Sequence, residues 1–345
     1  MMKRILILQN TILHYRKPLY NKLAEQYDVT VLHSGKESIL PEDRYKEIIA
    51  PLKRISKFYI QKGVKKEVKK GNYDVIITMM DIQWINNVLI SFFHPKSSKF
   101  AWWGIIVSKN KFANKLRGYF LRNKPTIFYT EAGLKEMKTL GFTSPNYTYC
   151  NNTFHIENRV PCYLEENKNS ILFVGSLDKR KRLDLMLRAF TNSISNIPMS
   201  IKFKIIGSGS ELESISNLIK ELNIEERVQL LGKITDTMIL QNHYKSAICS
   251  LSFGQAGLGV LQSMGYGVPF VTSKNAISGG EISNIIHDEN GLLCDHDQSS
   301  LENALTTLCN DIQLSKRLGN NAFQHYSNKC TIEQMASKFR KVIET

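Results

Sequence analysis

Short runs of apolar, largely β-branched residues recur along the whole chain of 345 residues, and stretches with apolar positions at helical spacing lie between them. In the first half the runs are RILILQ, DVTVLHS, DVIITMM, SKFAWWG and PTIFYT, with helical stretches such as 18–26 and 133–140 between them. In the second half they are SILFVGSL, IKFKIIGSG, RVQLLGKI, SAICSLSF and VPFVTS. Leu183, Met186, Leu187 and Phe190 share one helix face there, and Leu212, Ile215, Leu218, Ile219 and Leu222 share another. Unbroken apolar runs alternating with 3.6-period segments predict parallel sheets joined by crossover helices. The series restarts after a polar, irregular stretch, VPCYLEENKNS. This gives two doubly wound α/β domains, 1–160 and 170–330, a linker over 161–169, and a last helix over 331–345 that packs back toward the first domain. Folds of this kind bind ligands beyond the carboxyl ends of their strands.

Composition narrows the picture. No run reaches the roughly 18 to 20 apolar residues of a membrane span; the nearest, 88–93, is closed by His94 and Pro95. The apolar run 5–8 stops at Gln9 and Asn10, too short for the core of a signal peptide. Six cysteines, at 150, 162, 249, 294, 309 and 330, show no CxxC and no zinc-type pairing with histidine. Reduced, buried thiols in a cytoplasmic protein are the reading that follows.

Charge divides the chain near its middle. Residues 1–159 carry 27 Lys and Arg against 12 Asp and Glu, whereas 160–345 carry 19 against 19, so the net +15 sits in the first half. Two basic segments dominate, 52–74 and 108–124, and the second interleaves Phe112, Leu116, Tyr119 and Phe120 with its cations. That mixture suits either a core-facing helix with a solvated basic face or a surface helix on anionic lipid. A nucleic-acid partner would also explain the charge, but no RRM, KH or helix-turn-helix pattern is present, and no nucleic acid is expected.

Candidate chemistry gathers at glycine-bearing strand ends of the second half. In FVGSLDKRKR, Gly175 ends a strand and four cations, 179–182, follow, a place that suits a phosphate or a solvated basic turn. IIGSGSELE holds Gly207 and Gly209 in an incomplete GxGxxG, with Glu211 near the third glycine position. SFGQAGLGVLQSMGYGVP, 252–269, contains no charged residue; Gly254 and Gly257 precede a helix from about Leu258 whose free N–H groups suit an anion. Gly279 and Gly280 then precede Glu281, either a ligand for sugar hydroxyls or a helix-capping carboxylate. No acidic DxD cluster marks a metal site.

FVGSLDKRKRLDLMLRAF, KIIGSGSELESISNLIKELNIEERVQLLGKITD and GLGVLQSMGYGVPFVTS followed by NGLL resemble glycosyltransferase family 4, the retaining GT-B nucleotide-sugar transferases, over nearly all of 170–345. In the first half, LHYRKPLYNKLAEQYDVTVLHSG, WWG and YCNNTF resemble, less specifically, a branch found in bacterial capsule and lipopolysaccharide assembly. The resemblance implies a GT-B fold, two Rossmann-like domains facing each other across a cleft, with sugar transfer from a nucleoside diphosphate to a hydroxyl of a lipid-linked glycan. It also implies no cofactor, no metal, and a place at the inner face of the cytoplasmic membrane, where the basic first domain meets anionic lipid.

Carried over by position, the family's diphosphate-binding lysine falls on Lys181 and its arginine five residues earlier falls on Ser176, leaving Arg180 or Arg182 as substitutes. The turn beside the base falls on Gly232, next to Lys233. The two glutamates of the pattern, with seven residues between them, fall on Gly254 and Gln262. Gln262 retains an acceptor and a donor for a ribose, Gly254 retains only backbone, and Glu281 is the carboxylate left for the sugar. Gln255, Gly257 and Leu258 complete the expected donor turn. Where relatives carry a Gly-Gly pair in the first domain this chain has 11–16, so His14 and Arg16 are expected to reach the donor phosphates. Loss of both glutamates leaves an inactive sugar-nucleotide binder or an epimerase as the alternative.

Overall fold

The structure is a computed structural model that describes residues 2–108, 110–157, 159–164 and 167–345. It divides into two units, Met1–Thr153 with Thr331–Thr345, and Phe154–Cys330.

In the first unit the elements run β1 (Arg4–Leu8), α1 (Lys17–Ala24), β2 (Asp28–His33), β3 (Lys46–Ile49), β4 (Leu52–Ile55), β5 (Phe58–Gln61), α2 (Val64–Lys70) and β6 (Val75–Met79). They continue with α3 (Ile85–Phe93), β7 (Lys99–Gly104), α4 (Lys111–Leu121), β8 (Thr126–Phe128), α5 (Glu131–Thr139) and β9 (Tyr147–Tyr149). Seven strands form one sheet in the order β3-β2-β1-β6-β7-β8-β9, with every neighbouring pair parallel. The apolar runs are continuous because both faces are covered. Ile5 and Ile7 enter one core with Val29, Val31, Val75 and Ile77, while Leu6 and Leu8 enter the other with Leu32, Ile76 and Trp102. The two-residue period of a strand thus divides each run between two cores. β4 and β5 stand apart as an antiparallel hairpin.

The second unit runs β10 (Ser170–Val174), α6 (Leu183–Ser193), β11 (Lys202–Ile206), α7 (Leu212–Glu221), β12 (Val228–Leu230), α8 (Thr237–Lys245) and β13 (Ala247–Leu251). It ends with α9 (Gly259–Gly265), β14 (Phe270–Ser273), β15 (Gly291–Cys294), α10 (Gln298–Asn310) and α11 (Ile312–Lys329). Its six-stranded parallel sheet has the order β12-β11-β10-β13-β14-β15. Two Rossmann-like α/β units therefore follow one another, as the alternation of patterns predicts.

α12 (Ile332–Glu344) returns to the first unit. Its Met335, Ala336, Phe339 and Ile343 join Leu19, Tyr20 and Leu23 of α1 in one apolar cluster, and the Phe339 ring meets Trp103 edge-on at 4.8 Å.

The division between units falls after Thr153, and the stretch expected to be a linker lies within the second unit. Cys162–Leu164 forms a 3-10 turn in which Cys162 is buried and donates its N–H to the Tyr266 carbonyl at 2.7 Å. Cys162 thereby anchors a stretch whose sequence is mostly polar. Glu165 and Glu166 of that stretch, and Lys109 of the second basic segment, lie outside the described residues.

Candidate functional site

Each loop following a strand of the second sheet leaves from the sheet's carboxyl edge, and the middle ones touch. Gly207, just after β11, sits at φ +155° and donates its N–H to the Gly232 carbonyl at 2.8 Å. A Cβ there would stand 1.8 Å from the Gly175 carbonyl oxygen, so only glycine allows the loops after β10, β11 and β12 to close on one another. Gly209 lies against the Leu177 backbone, and Glu211, opening toward α7, donates its N–H to the Leu177 carbonyl at 3.0 Å.

The loop after β10 is braced from within. Asp178 accepts from Ser176 Oγ at 2.8 Å, from the Arg180 N–H at 3.0 Å and from the Arg180 guanidinium at 3.0 and 3.1 Å. These bonds, Arg180 first, hold the Asp178 carboxyl at about 2, well below its ordinary value. Asp178 caps a 3-10 turn, Lys179–Lys181, and Arg182 then adopts φ +57° before α6 begins. Ser176 and Arg180, both expected at the donor phosphates, are exposed and engaged with this aspartate. The aspartate is a site residue that the sequence reading missed, although its spacing two residues before Arg180 is the capping signal that would reveal it.

Lys181 is half-buried, with its Cε 3.9 Å from the position of a Cβ on Gly175. Burial, with Arg180 nearby, lowers its pKa, while Asp178 and Glu281 oppose the shift. Glu281 is thus close enough to act electrostatically on Lys181. Its side chain is buried, and Oε2 accepts from the Gly279 N–H at 3.1 Å and from Ser278 Oγ at 3.3 Å. The structure therefore brings together a lysine and a carboxylate that lie 100 residues apart in sequence.

Gly254 explains why its position carries no carboxylate. Its N–H donates to the Lys181 carbonyl at 3.2 Å, and a Cβ on it would lie 2.2 Å from the Arg180 carbonyl oxygen and 2.6 Å from Arg182 Cγ. The backbone of the cationic turn fills the space through which a side chain would leave. Gly254 also accepts from the Ile277 N–H at 2.9 Å, which ties the turns after β13 and β14 together. Gln255 keeps Oε1 buried without a hydrogen-bond partner. Gly257 and Leu258 lead into α9, whose first turn has no side-chain cap, and Gln262 lies buried on that helix. Gly232 and Lys233 are exposed after β12. Among the described residues, no group of three or more His, Cys, Asp or Glu side chains is placed to hold a metal ion.

His14 and Arg16 lie in the first unit, on a 3-10 turn after β1, and part ways there. His14 is exposed, with its ring edge-on to Tyr15. Arg16 is buried, which corrects its expected role at the donor phosphates. Its guanidinium lies 4.6 Å from the Trp103 ring centroid, 4.9 Å from that of Tyr129 and 5.0 Å from that of Tyr15, and it donates to the Tyr129 hydroxyl. Burial opposes its charge, but Tyr129, Tyr15, Tyr20 and Cys150 more than offset that, so its pKa rises. Its charge is engaged within the first unit by the three ring faces and the Tyr129 hydroxyl.

Known proteins show the same frame. The chain superposes on the crystal structure of Anabaena Alr3699/HepE in complex with UDP with a TM-score of 0.77 and 16% identity, covering 99% of this chain and 100% of that one. The shared fold is GT-B. The N-acetyl-alpha-D-glucosaminyl L-malate synthase of Bacillus anthracis is 25% identical over 189 residues, 52% of this chain and 46% of that protein. An alpha-1,4-N-acetyl-D-galactosaminyltransferase of Campylobacter jejuni, named for the acceptor GalNAc-alpha-(1->4)-GalNAc-alpha-(1->3)-diNAcBac-PP-undecaprenol, is 31% identical over 162 residues, 46% of this chain and 44% of that protein. The matched region spans less than half the length of these two relatives. The loops that carry Gly175, Lys181, Gly207, Gly254 and Glu281 all fall within residues 156–325, the segment of this chain that matches the family Glycosyl transferases group 1.

Proposed function

We propose that this chain is a retaining glycosyltransferase that moves a sugar from a nucleoside diphosphate to a hydroxyl of a growing, lipid-linked surface glycan, without a metal or other cofactor. The observation that carries this reading is the convergence of Lys181, Glu281 and the glycine-closed loops at one carboxyl edge, inside the segment that matches the family. As the sugar leaves, negative charge grows on the diphosphate. Lys181 and the N–H groups from Gly257 onward would stabilise it, with Arg180 joining them by exchanging its bond to Asp178 for one to the phosphate. Glu281 and Gln255 would take the sugar hydroxyls and Gln262 the ribose. The acceptor hydroxyl would attack from the face the diphosphate leaves, passing its proton to the departing phosphate oxygen, so the reaction needs positioning and no protein nucleophile. The UDP held by the Anabaena protein and the undecaprenol-linked acceptor in the Campylobacter enzyme's name support donor and acceptor classes.

By the two units, the charge asymmetry is sharper than by halves of the sequence: 29 Lys and Arg against 13 Asp and Glu in the first, 17 against 18 in the second. A net +16 on the acceptor-type unit supports a peripheral place on the inner face of the cytoplasmic membrane, where each cation near an anionic surface contributes about 1 kcal/mol. One feature favours a second reading, a binder without transfer activity or an epimerase: Gly254 supplies no carboxylate.

The test is a melting screen with nucleotides and UDP- and GDP-sugars, followed by product analysis. Selective stabilisation by one diphosphate together with slow hydrolysis or transfer is the outcome we expect. Binding alone selects the inactive scaffold and an epimerised donor the third activity, while a melt unmoved by every nucleotide overturns the proposal.

A further inference from the structure

α3 packs only Ile90 of its apolar side chains fully into the core and turns others outward. Its polar residues Asn87 and Ser91 are 1% and 3% exposed, while Leu89, Phe92 and Phe93 are 49%, 55% and 70% exposed. The inward Asn87 donates to the Met79 carbonyl at the end of β6, at 2.9 Å, and Ser91 Oγ donates to the Val88 carbonyl at 2.7 Å, while Asn87 Oδ1 is buried without a hydrogen-bond partner. α4 repeats the pattern: Asn114 is fully buried and bonded to Ser108 and Glu136, whereas Phe112 is 79% exposed and Leu116 and Tyr119 also face outward. A helix at a water interface normally has the opposite arrangement.

The two helices and the β4–β5 hairpin form one surface. Phe92 meets Phe120 at 5.9 Å, and a groove is lined by Lys57 and Phe58 of the hairpin region, Ile85 and Leu89 of α3, and Leu116 and Phe120 of α4. Cations rim it. Lys124 Nζ lies 4.8 Å from the Phe92 centroid and Lys57 Nζ 5.6 Å from that of Phe58. Neither 48–66 nor 82–130 contains an Asp or a Glu, so these segments bring no carboxylate to the surface.

We infer that this face seats on an anionic bilayer, with Leu89, Phe92, Phe93 and Phe112 among the acyl chains and the lysines and arginines at the headgroups. Contiguous exposed apolar side chains mark an interaction site, and the Lys57 and Lys124 cations beside it favour a negative partner. A second copy of the chain is a poor occupant, since pairing this face with itself would set cation against cation. The inference rests on the membrane placement proposed above and alters its physics, because attachment by charge alone disappears with salt whereas apolar insertion persists.

The experiment is sedimentation of the full chain with phosphatidylglycerol–phosphatidylcholine vesicles, at low salt and at about 1 M NaCl, where the screening length is about 3 Å. We expect binding at low salt and a bound fraction that survives high salt. Leu89→Ser/Phe92→Ser/Phe93→Ser should bind at low salt, with unchanged melting because these side chains are exposed, and at least about tenfold less well at high salt. Phe93→Trp should shift its emission to the blue on binding. No binding of the wild type at low salt overturns the membrane placement itself. Complete release at high salt with no emission shift overturns insertion and leaves the placement standing. A lipid-free oligomer that the triple substitution dissolves would make the face a contact between copies and overturn the inference.

Discussion

The first strand of each sheet is followed by a 3-10 turn that ends in a cation: Arg16 after β1 and Lys181 after β10. Both strands are interior, β1 between β2 and β6, β10 between β11 and β13. The two turns put their charge to opposite use. Arg16 points into aromatic rings and holds α12 and Tyr129 in place, whereas Lys181 remains half-buried beside Gly175 and under the influence of Glu281. Topology therefore supplies the position, and the surroundings decide whether the cation is enclosed in a core or left half-open at a carboxyl-edge loop. Gly175 leaves room at the second turn; Trp103 and Tyr129 fill it at the first.

That contrast is sharpest in substitutions. Lys181→Met should lower turnover by about 100- to 1000-fold with little change in melting, the usual loss when one group facing developing charge is removed. Arg16→Met should do the reverse, lowering stability by about 2 kcal/mol, or about 4 to 8 °C in melting temperature, while leaving the donor KM as it was. A changed donor KM in Arg16→Met without a change in melting would erase the distinction. Next in size is Gly254→Ala, whose methyl group meets the Arg180 carbonyl; we expect a loss of about 1 to 3 kcal/mol in the second unit, measured by denaturant unfolding, and no gain in activity. The smallest effect concerns Asp178. Its carboxyl is held at about 2 against an ordinary 3.8, so its stabilisation is complete above about pH 4 and is lost as the pH falls through about 2. The melting difference between wild type and Asp178→Asn should therefore be constant above about pH 4 and close toward pH 2. Partial exposure limits it to about 1 kcal/mol.

The strands buried on both faces were legible from their apolar runs, and the two-unit α/β plan followed from their alternation. β4 was not, because all four of its residues are exposed and neither face is required to be apolar; LKRI reads only as part of a basic segment. β15 is only four residues long and reads as the end of a loop. At the site, the glycines marked the loops correctly as turns at strand ends, but their reasons lay elsewhere in sequence. What fills the space beside Gly254 is a carbonyl 74 positions earlier, which no local pattern reveals. Arg16 shows the same limit. Its rings come from Tyr15, Trp103 and Tyr129, and only the fold of the sheet brings the last two to it.

α12 also imposes an order of events during translation. The first unit takes part of its core from residues 332–343, which leave the ribosome only after the whole of the second unit. At about 5 to 20 residues per second, Tyr20 and Trp103 wait roughly 10 to 40 s after residue 153 is made before Phe339 arrives to cover them. The unit that begins synthesis first is thus the one completed last. Throughout that interval it depends on other apolar cover, or on chaperones, to keep its open face from aggregating.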